Sequence, residues 1–247
     1  MKRIALLLAF TALAHAADLP TGESLIQRCI QKEGGEKAIQ RAQTAVMTGT
    51  VELIGHNISG PLQIYQDGDK SYMEIELAGI GKIEEGFDGT VAWESNVLQG
   101  PRVKDGAELE AAKRSSRISV LGNWKDYYKS ATTEGSEDVN GKPAWKVTMT
   151  PKDGTASEHF FFDRDSGLLI KMTQTLPTSM GDIPVEMTMS DYRPVDGILT
   201  PFLMTQAAIG QNMSMHIDKV SYTTKIPADR FALPPEVKAI AGKKFVK

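Results

Sequence analysis

Between Thr44 and Thr223 the chain is a succession of runs in which apolar residues fall on every second position, and several runs are joined by two-residue turn signals: Asn140-Gly141, Asp153-Gly154, Ser166-Gly167 and Asp196-Gly197. Period-two alternation gives a strand one apolar face. Asn, Asp or Ser followed by Gly supplies the positive φ that a tight hairpin demands. Links this short make neighbouring strands antiparallel. Met47, Val51 and Leu53, then Leu62 and Ile64, Met73, Ile75 and Leu77, Ile83 and Phe87, and Val91 and Trp93 mark the early strands. The later ones run through Ser130–Val139, Ala144–Thr150, Ser157–Asp163, Leu168–Leu176, Val185–Arg193, Leu199–Ala207 and Asn212–Thr223. The count is about ten or eleven strands in one meander, and a sheet of that breadth must curl or close.

Two helical patterns interrupt the strands. Glu23 to Ala42 reads as a helix broken at Gly34-Gly35, with Leu25, Ile26, Cys29, Ile30, Ala38 and Ile39 on one face. In the middle, Asp105 with Glu108 three residues on reads as an N-cap with its capping-box partner, opening a helix from Ala107 to about Leu121 with Gly122 as its stop. Trp124, Tyr127 and Tyr128 continue as a short helical or turn segment. The expected fold is mainly β with α: a curved antiparallel sheet, an unclosed half-barrel, wrapped around helices. A closed lipocalin-type barrel is the alternative, and it explains a mid-chain helix less well.

The first sixteen residues have the form of an export signal: basic Lys2 and Arg3, an apolar run from Ile4 to Ala12 too short to span a bilayer, and Ala14-His15-Ala16 as a cleavage site. The mature chain is expected to begin at Ala17 and to be exported, with one domain over 17–232 and a basic, loosely held tail over 233–247. Loss of Lys2 and Arg3 makes the formal charge of −3 two units more negative. An acidic chain without a basic block is not a nucleic-acid binder. The single cysteine, Cys29, cannot form an internal disulfide, so the core must hold the fold; its place on the helical stripe marks it as a buried structural thiol.

Catalytic patterns are missing. His56, His159 and His216 are far apart and have no metal-type spacing partners. There is no G-x-S-x-G elbow and no S-x-x-K pair. Gly79-Ile80-Gly81 lacks the third glycine and the helix of a dinucleotide loop. Asp163-Arg164-Asp165-Ser166-Gly167 is too short for a calcium loop and reads as a hairpin turn. The expectation is a binding protein rather than an enzyme, with no cofactor and no metal.

What the strands do carry is methionine on alternating positions, notably around Ser190–Phe202. Methionine is unbranched and soft, and packs against irregular apolar objects. An exported sheet with such a face suits a greasy ligand. The lining expected is Met73, Ile75, Trp93, Trp145, Met149, Phe160, Phe162, Met172, Met187, Met189, Phe202, Met204, Met213 and Met215. The other reading is that these side chains are core packed on the helices; a cavity between sheet and helices would be a partly unfilled core.

Several segments, in this order, carry a family resemblance: the opening helix ending in Gly34-Gly35, Gly49-Thr50-Val51, the stretch from Gly79 to Trp93, Gly100-Pro101-Arg102, and Asp191 to Phe202. On these the chain resembles the outer-membrane lipoprotein-sorting (LolA-like) family of periplasmic carriers, over about residues 22–232. The resemblance implies an unclosed antiparallel barrel with helices forming a lid over an apolar cavity. It implies lipid or lipoprotein acyl chains as cargo, with an inner-membrane transporter as donor and an outer-membrane acceptor; a monomer is expected. In the well-studied carriers an arginine on an early strand hydrogen-bonds the lid. Thr44 to Ile54 holds none, so no gating residue carries over. Relatives on the same fold sense lipids, which leaves a lipid-responsive envelope sensor or partner-binding module without transport as the alternative.

Overall fold

The computed structural model describes residues 19–178 and 181–244; the expected export signal lies outside them. Two short helices, α1 (Gly22–Lys32) and α2 (Glu36–Arg41), precede the sheet. Thr21 caps α1, its Oγ1 accepting from the Ser24 amide at 3.1 Å. The stripe Leu25, Ile26, Cys29 and Ile30 is buried, at about 1.5–3 kcal/mol for each large aliphatic side chain. The helical run breaks where Gly34 (φ +124°) and Gly35 (φ +82°) turn the chain. A Cβ on Gly34 would collide with the Gly197 carbonyl oxygen, so glycine there lets the helix end sit directly on a hairpin of the sheet.

Among the described residues thirteen strands then form one antiparallel sheet. The first six are β1 (Thr44–Leu53), β2 (Ile58–Asp67), β3 (Lys70–Leu77), β4 (Gly81–Phe87), β5 (Ala92–Asn96) and β6 (Gly100–Val103). A bridging segment follows, with α3 (Gly106–Ser115) and the one-turn α4 (Trp124–Tyr127). The other strands are β7 (Tyr128–Val139), β8 (Lys142–Pro151), β9 (Glu158–Asp163), β10 (Leu169–Thr178), β11 (Gly181–Val195), β12 (Ile198–Ala208) and β13 (Gln211–Ser221). A 3-10 turn at Ala228–Phe231 and α5 (Pro235–Lys244) complete the described chain. The spatial order is β6-β5-β4-β3-β2-β1-β13-β12-β11-β10-β9-β8-β7. The chain thus starts in the middle of the sheet, runs out to one edge, crosses to the other and returns to pair β13 with β1. The crossing piece, α3 to α4, spans the mouth between the edges β6 and β7 of an unclosed half-barrel.

Three expectations change. The sheet has thirteen strands instead of about ten or eleven, because strands as short as the four-residue β6 show little alternation. The central helix ends at Ser115 instead of near Leu121, and Asp105 makes no side-chain cap bond; Glu108 gives both its oxygens to Arg102, at 2.7 and 2.8 Å, instead of closing a capping box. The tail is not loosely held as far as it is described. Val237 and Ala241 of α5 are buried with Trp93, Val103, Ile226 and Phe231 on the outer face of the β3–β6 end.

The inner face carries two adjoining cores. One packs α1 on β7–β10, with Val147, Met149, Phe160, Phe162 and Leu169. The other lies over β1–β3, β12 and β13, with Val51, Leu62, Ile75, Phe202, Met215 and Ile217.

Candidate functional site

Cross-strand register builds a methionine floor on the inner face. Val147, Phe160, Met172 and Met187 are successive partners across β8 to β11. Met189, Met204, Met215 and Val51 are successive partners across β11, β12, β13 and β1. Direct partners on one face touch, so the methionines lie side by side.

Over this floor the bridging segment does not fill the space. A cavity of 240 Å³ lies between Met47, Leu169, Met172, Met187, Met189, Tyr192, Thr200 and Met204 of the sheet, Glu33 and Ile39 of the N-terminal helices, and Ile118 to Leu121 of the bridge. Val120, Met172 and Met187 also border a second cavity of 380 Å³, which continues toward the β6 edge and the end of β10 at Leu176, Pro177 and Thr178. Together the two reach the size of small-ligand sites, about 300–1,000 Å³.

The roof is pinned at each side. Arg102 of β6 holds Glu94 and makes the fork to Glu108 of α3. Arg114 at the other end of α3 pairs with Asp153 and, at 3.2 Å, with Glu158, which also accepts the Tyr128 hydroxyl at 2.6 Å. Burial works to raise the Glu94 carboxyl, but Arg102 and Lys104 outweigh it and hold it below the usual carboxylate range. From the floor, the Gln66 amide donates to the carbonyls of Ser116 and Arg117 at 3.2 and 3.1 Å. A neutral glutamine on the second strand therefore ties down the bridge in a chain whose first strand has no arginine.

The far end of the inner cavity is polar. Glu33 caps the C-terminus of α1, its carbonyl accepting from the Leu199 amide at 2.9 Å, and its side chain lines the cavity. The carboxyl accepts from the Cys29 thiol at 3.5 Å. Burial pushes Glu33 up to about 7 against an ordinary 4.5, the thiol contact only partly opposing it. Burial and then the Glu33 charge push the Cys29 thiol up. The Tyr222 hydroxyl and Thr200 Oγ1 pair at 2.8 Å beside it.

Of the fourteen expected lining residues, Met172, Met187, Met189 and Met204 line the inner cavity. Trp145, Met149, Phe160 and Phe162 are packed with α1, and Met73, Ile75, Phe202, Met213 and Met215 belong to the other core. Trp93 is a correction: it faces away from the cavity, stacked over Gly86 and covered by α5. At that end both faces of the sheet are covered, so alternation does not distinguish them. Sequence reading missed Glu33, Tyr192, Tyr222 and Ile118–Leu121. Their only local signals are the glycine pair after Glu33 and the apolar residues following α3.

Among the described residues no three His, Cys, Asp or Glu side chains are arranged to hold a metal, and no helix is long and apolar enough to cross a membrane. No family model and no curated protein matches the chain in sequence. Solved structures do match. A LolA-superfamily protein of Nitrosomonas europaea superposes with a TM-score of 0.56 at 11% identity, over 87% of this chain and 99% of that one. The fold is LolA-like. A DUF1329-family protein of Desulfovibrio piger gives 0.57 at 13% identity, over 86% and 98% of the two chains. An outer-membrane lipoprotein-sorting protein domain of Vibrio parahaemolyticus gives 0.50 at 13%, over 85% and 96%. At these identities the likeness is one of LolA-like architecture.

Proposed function

We propose that this chain is a periplasmic carrier that encloses an acyl chain of a lipid or lipoprotein between the methionine floor and the bridge. The observation that carries the reading is the unfilled apolar space over Met172, Met187, Met189 and Met204, next to strands on which α1 packs tightly. Each methylene moved from water into such a space contributes about 0.8 kcal/mol, so the chain itself supplies much of the affinity. Unbranched methionines accept chains of different shape and let them go. The LolA-like fold, shared with a lipoprotein-sorting domain, supports this cargo class.

The rim supports transfer at a membrane or an apolar acceptor. Ile54, Val97, Leu98 and Ile209, exposed at 44, 60, 88 and 69%, all stand at hairpin connections on one end of the sheet, the end where β10 finishes beside the outer cavity. The turns at the other end are Gly68-Asp69, Asp88-Gly89, Asn140-Gly141, Ser166-Gly167 and Asp196-Gly197. We read the protein as a binder without bond chemistry: its one thiol, Cys29, is buried and held far from ionisation.

The test is native mass spectrometry of the protein purified from its own envelope, followed by lipid extraction and titration with a fluorescent fatty acid. A bound acyl species and saturable binding are expected. A clean apo mass without saturable binding overturns the carrier reading in favour of a partner-binding module.

A further inference from the structure

The inner cavity is apolar along the methionines yet has a carboxyl at its far end. A vessel for hydrocarbon alone has no use for one: a carboxylate taken from water without a cation is costly. Among the described residues no Lys, Arg or His lines this cavity. The polar groups facing Glu33 are few. Cys29 on α1 donates to it through a thiol, a weak donor. Tyr192 on β11 spends its hydroxyl on the Leu169 carbonyl, and Tyr222, the residue after β13, pairs with Thr200. Asp196 accepts the Tyr222 backbone N–H from behind. The carboxyl is therefore short of donors and short of positive charge, on a residue that borders open volume.

We propose that Glu33 is the head-group site of this cavity, and that the ligand it selects is an aliphatic chain ending in a primary ammonium, bound head inward against Glu33 with its chain over Met189, Met204, Met187 and Met172. An ammonium brings three N–H donors and the missing charge. The Tyr222–Thr200 hydroxyl pair lies beside the position the head would occupy. An anionic head in the same place faces the carboxylate with no cation to offset the repulsion. The inference rests on the cavity being a ligand site, as proposed above.

The experiment is displacement of a fluorescent fatty-acid probe at pH 8 by three ligands of equal chain length: dodecylamine, dodecanol and dodecanoate. On the wild-type protein dodecylamine is expected to displace at a concentration lower by about tenfold or more than dodecanol, as a hydrogen bond to a charged group requires. Glu33→Gln, which keeps the shape, is expected to remove that advantage and leave dodecanol within about twofold. A second measurement needs no variant. At pH 5 the Glu33 carboxyl is protonated while Cys29, Tyr192 and Tyr222, all pushed upward by burial, remain neutral, so the amine preference of the wild type is expected to collapse. Equal displacement by all three ligands at pH 8, or an amine preference that survives in Glu33→Gln, overturns the head-group assignment alone. Failure of the probe and of every ligand to bind overturns the ligand reading of the cavity itself.

Discussion

Glu33→Gln also has a consequence for the ligand-free protein that follows from linkage. The native carboxyl titrates at about 7 and an unfolded glutamate at 4.5. Between those values the folded chain holds a proton that the unfolded chain has released. Stability therefore falls as pH rises through this window and levels off above it. The full gap corresponds to about 3.4 kcal/mol, of which about 2.5 kcal/mol is lost between pH 5 and pH 8. The other perturbed carboxyls, Glu74, Glu94, Glu134, Asp153, Asp163 and Asp191, are held low, so what they contribute is lost only in more acidic solution. Urea unfolding followed by circular dichroism at pH 5 and pH 8 reads the effect. The wild type is expected to lose about 2.5 kcal/mol over this interval, or about 5–10 °C in Tm. Glu33→Gln is expected to be flat over the same interval. Parallel pH profiles for the two proteins would refute the assignment of a raised carboxyl at Glu33 and with it the desolvation argument.

Four further outcomes test other parts of the structure. Met187→Asp places a charge on the floor shared by both cavities and is expected to weaken fatty-acid binding by about tenfold or more; unchanged affinity in a fluorescence titration would move the ligand elsewhere. Arg114→Ala leaves Glu158, whose side chain is 5% exposed, without its cation, and is expected to cost about 3 kcal/mol in urea unfolding, most of it recovered in Arg114→Ala/Glu158→Gln. Chain termination after Pro234 removes Val237 and Ala241 from Trp93; a red shift in tryptophan emission and a loss of about 2 kcal/mol or more are expected, and an unshifted spectrum would deny the packing of α5. Leu98→Asp with Ile209→Asp is expected to leave fatty-acid affinity intact while slowing transfer to vesicles several-fold; equal transfer rates would dismiss the rim as a docking edge.

Much of the architecture was legible because local rules and global topology agree. Asx-Gly turns set hairpins, hairpins set antiparallel order, and the breadth of the meander required curvature. The LolA-like reading rested on the order of these segments, and the sheet bears it out. The bridge was visible as the one helical insertion, though its helix ends earlier because Glu108 finds Arg102 across space, a partner no local cap rule contains. Period-two patterning grouped the methionines on one face but did not say which of them meets the helices. Only α1, laid over β7–β10, turned Phe160 and Phe162 into core while leaving Met172 and Met187 open to a cavity. Trp93 alternates as well as Met172 does, yet α5 returns from the far end of the chain to cover it.

Neighbours along the chain fix strand periodicity, turn positions and the apolar stripe of α1, and these are what the order of residues alone reveals. Tertiary structure decided what depends on residues distant in sequence. It chose the covered side of each strand, the ion pairs that pin the bridge, and the burial that lifts the Glu33 carboxyl. Burial and charge pairing are properties of surroundings assembled from several elements, so a residue such as Glu33, an ordinary glutamate beside two glycines, acquires its character only when Leu199, Tyr192 and Tyr222 close around it.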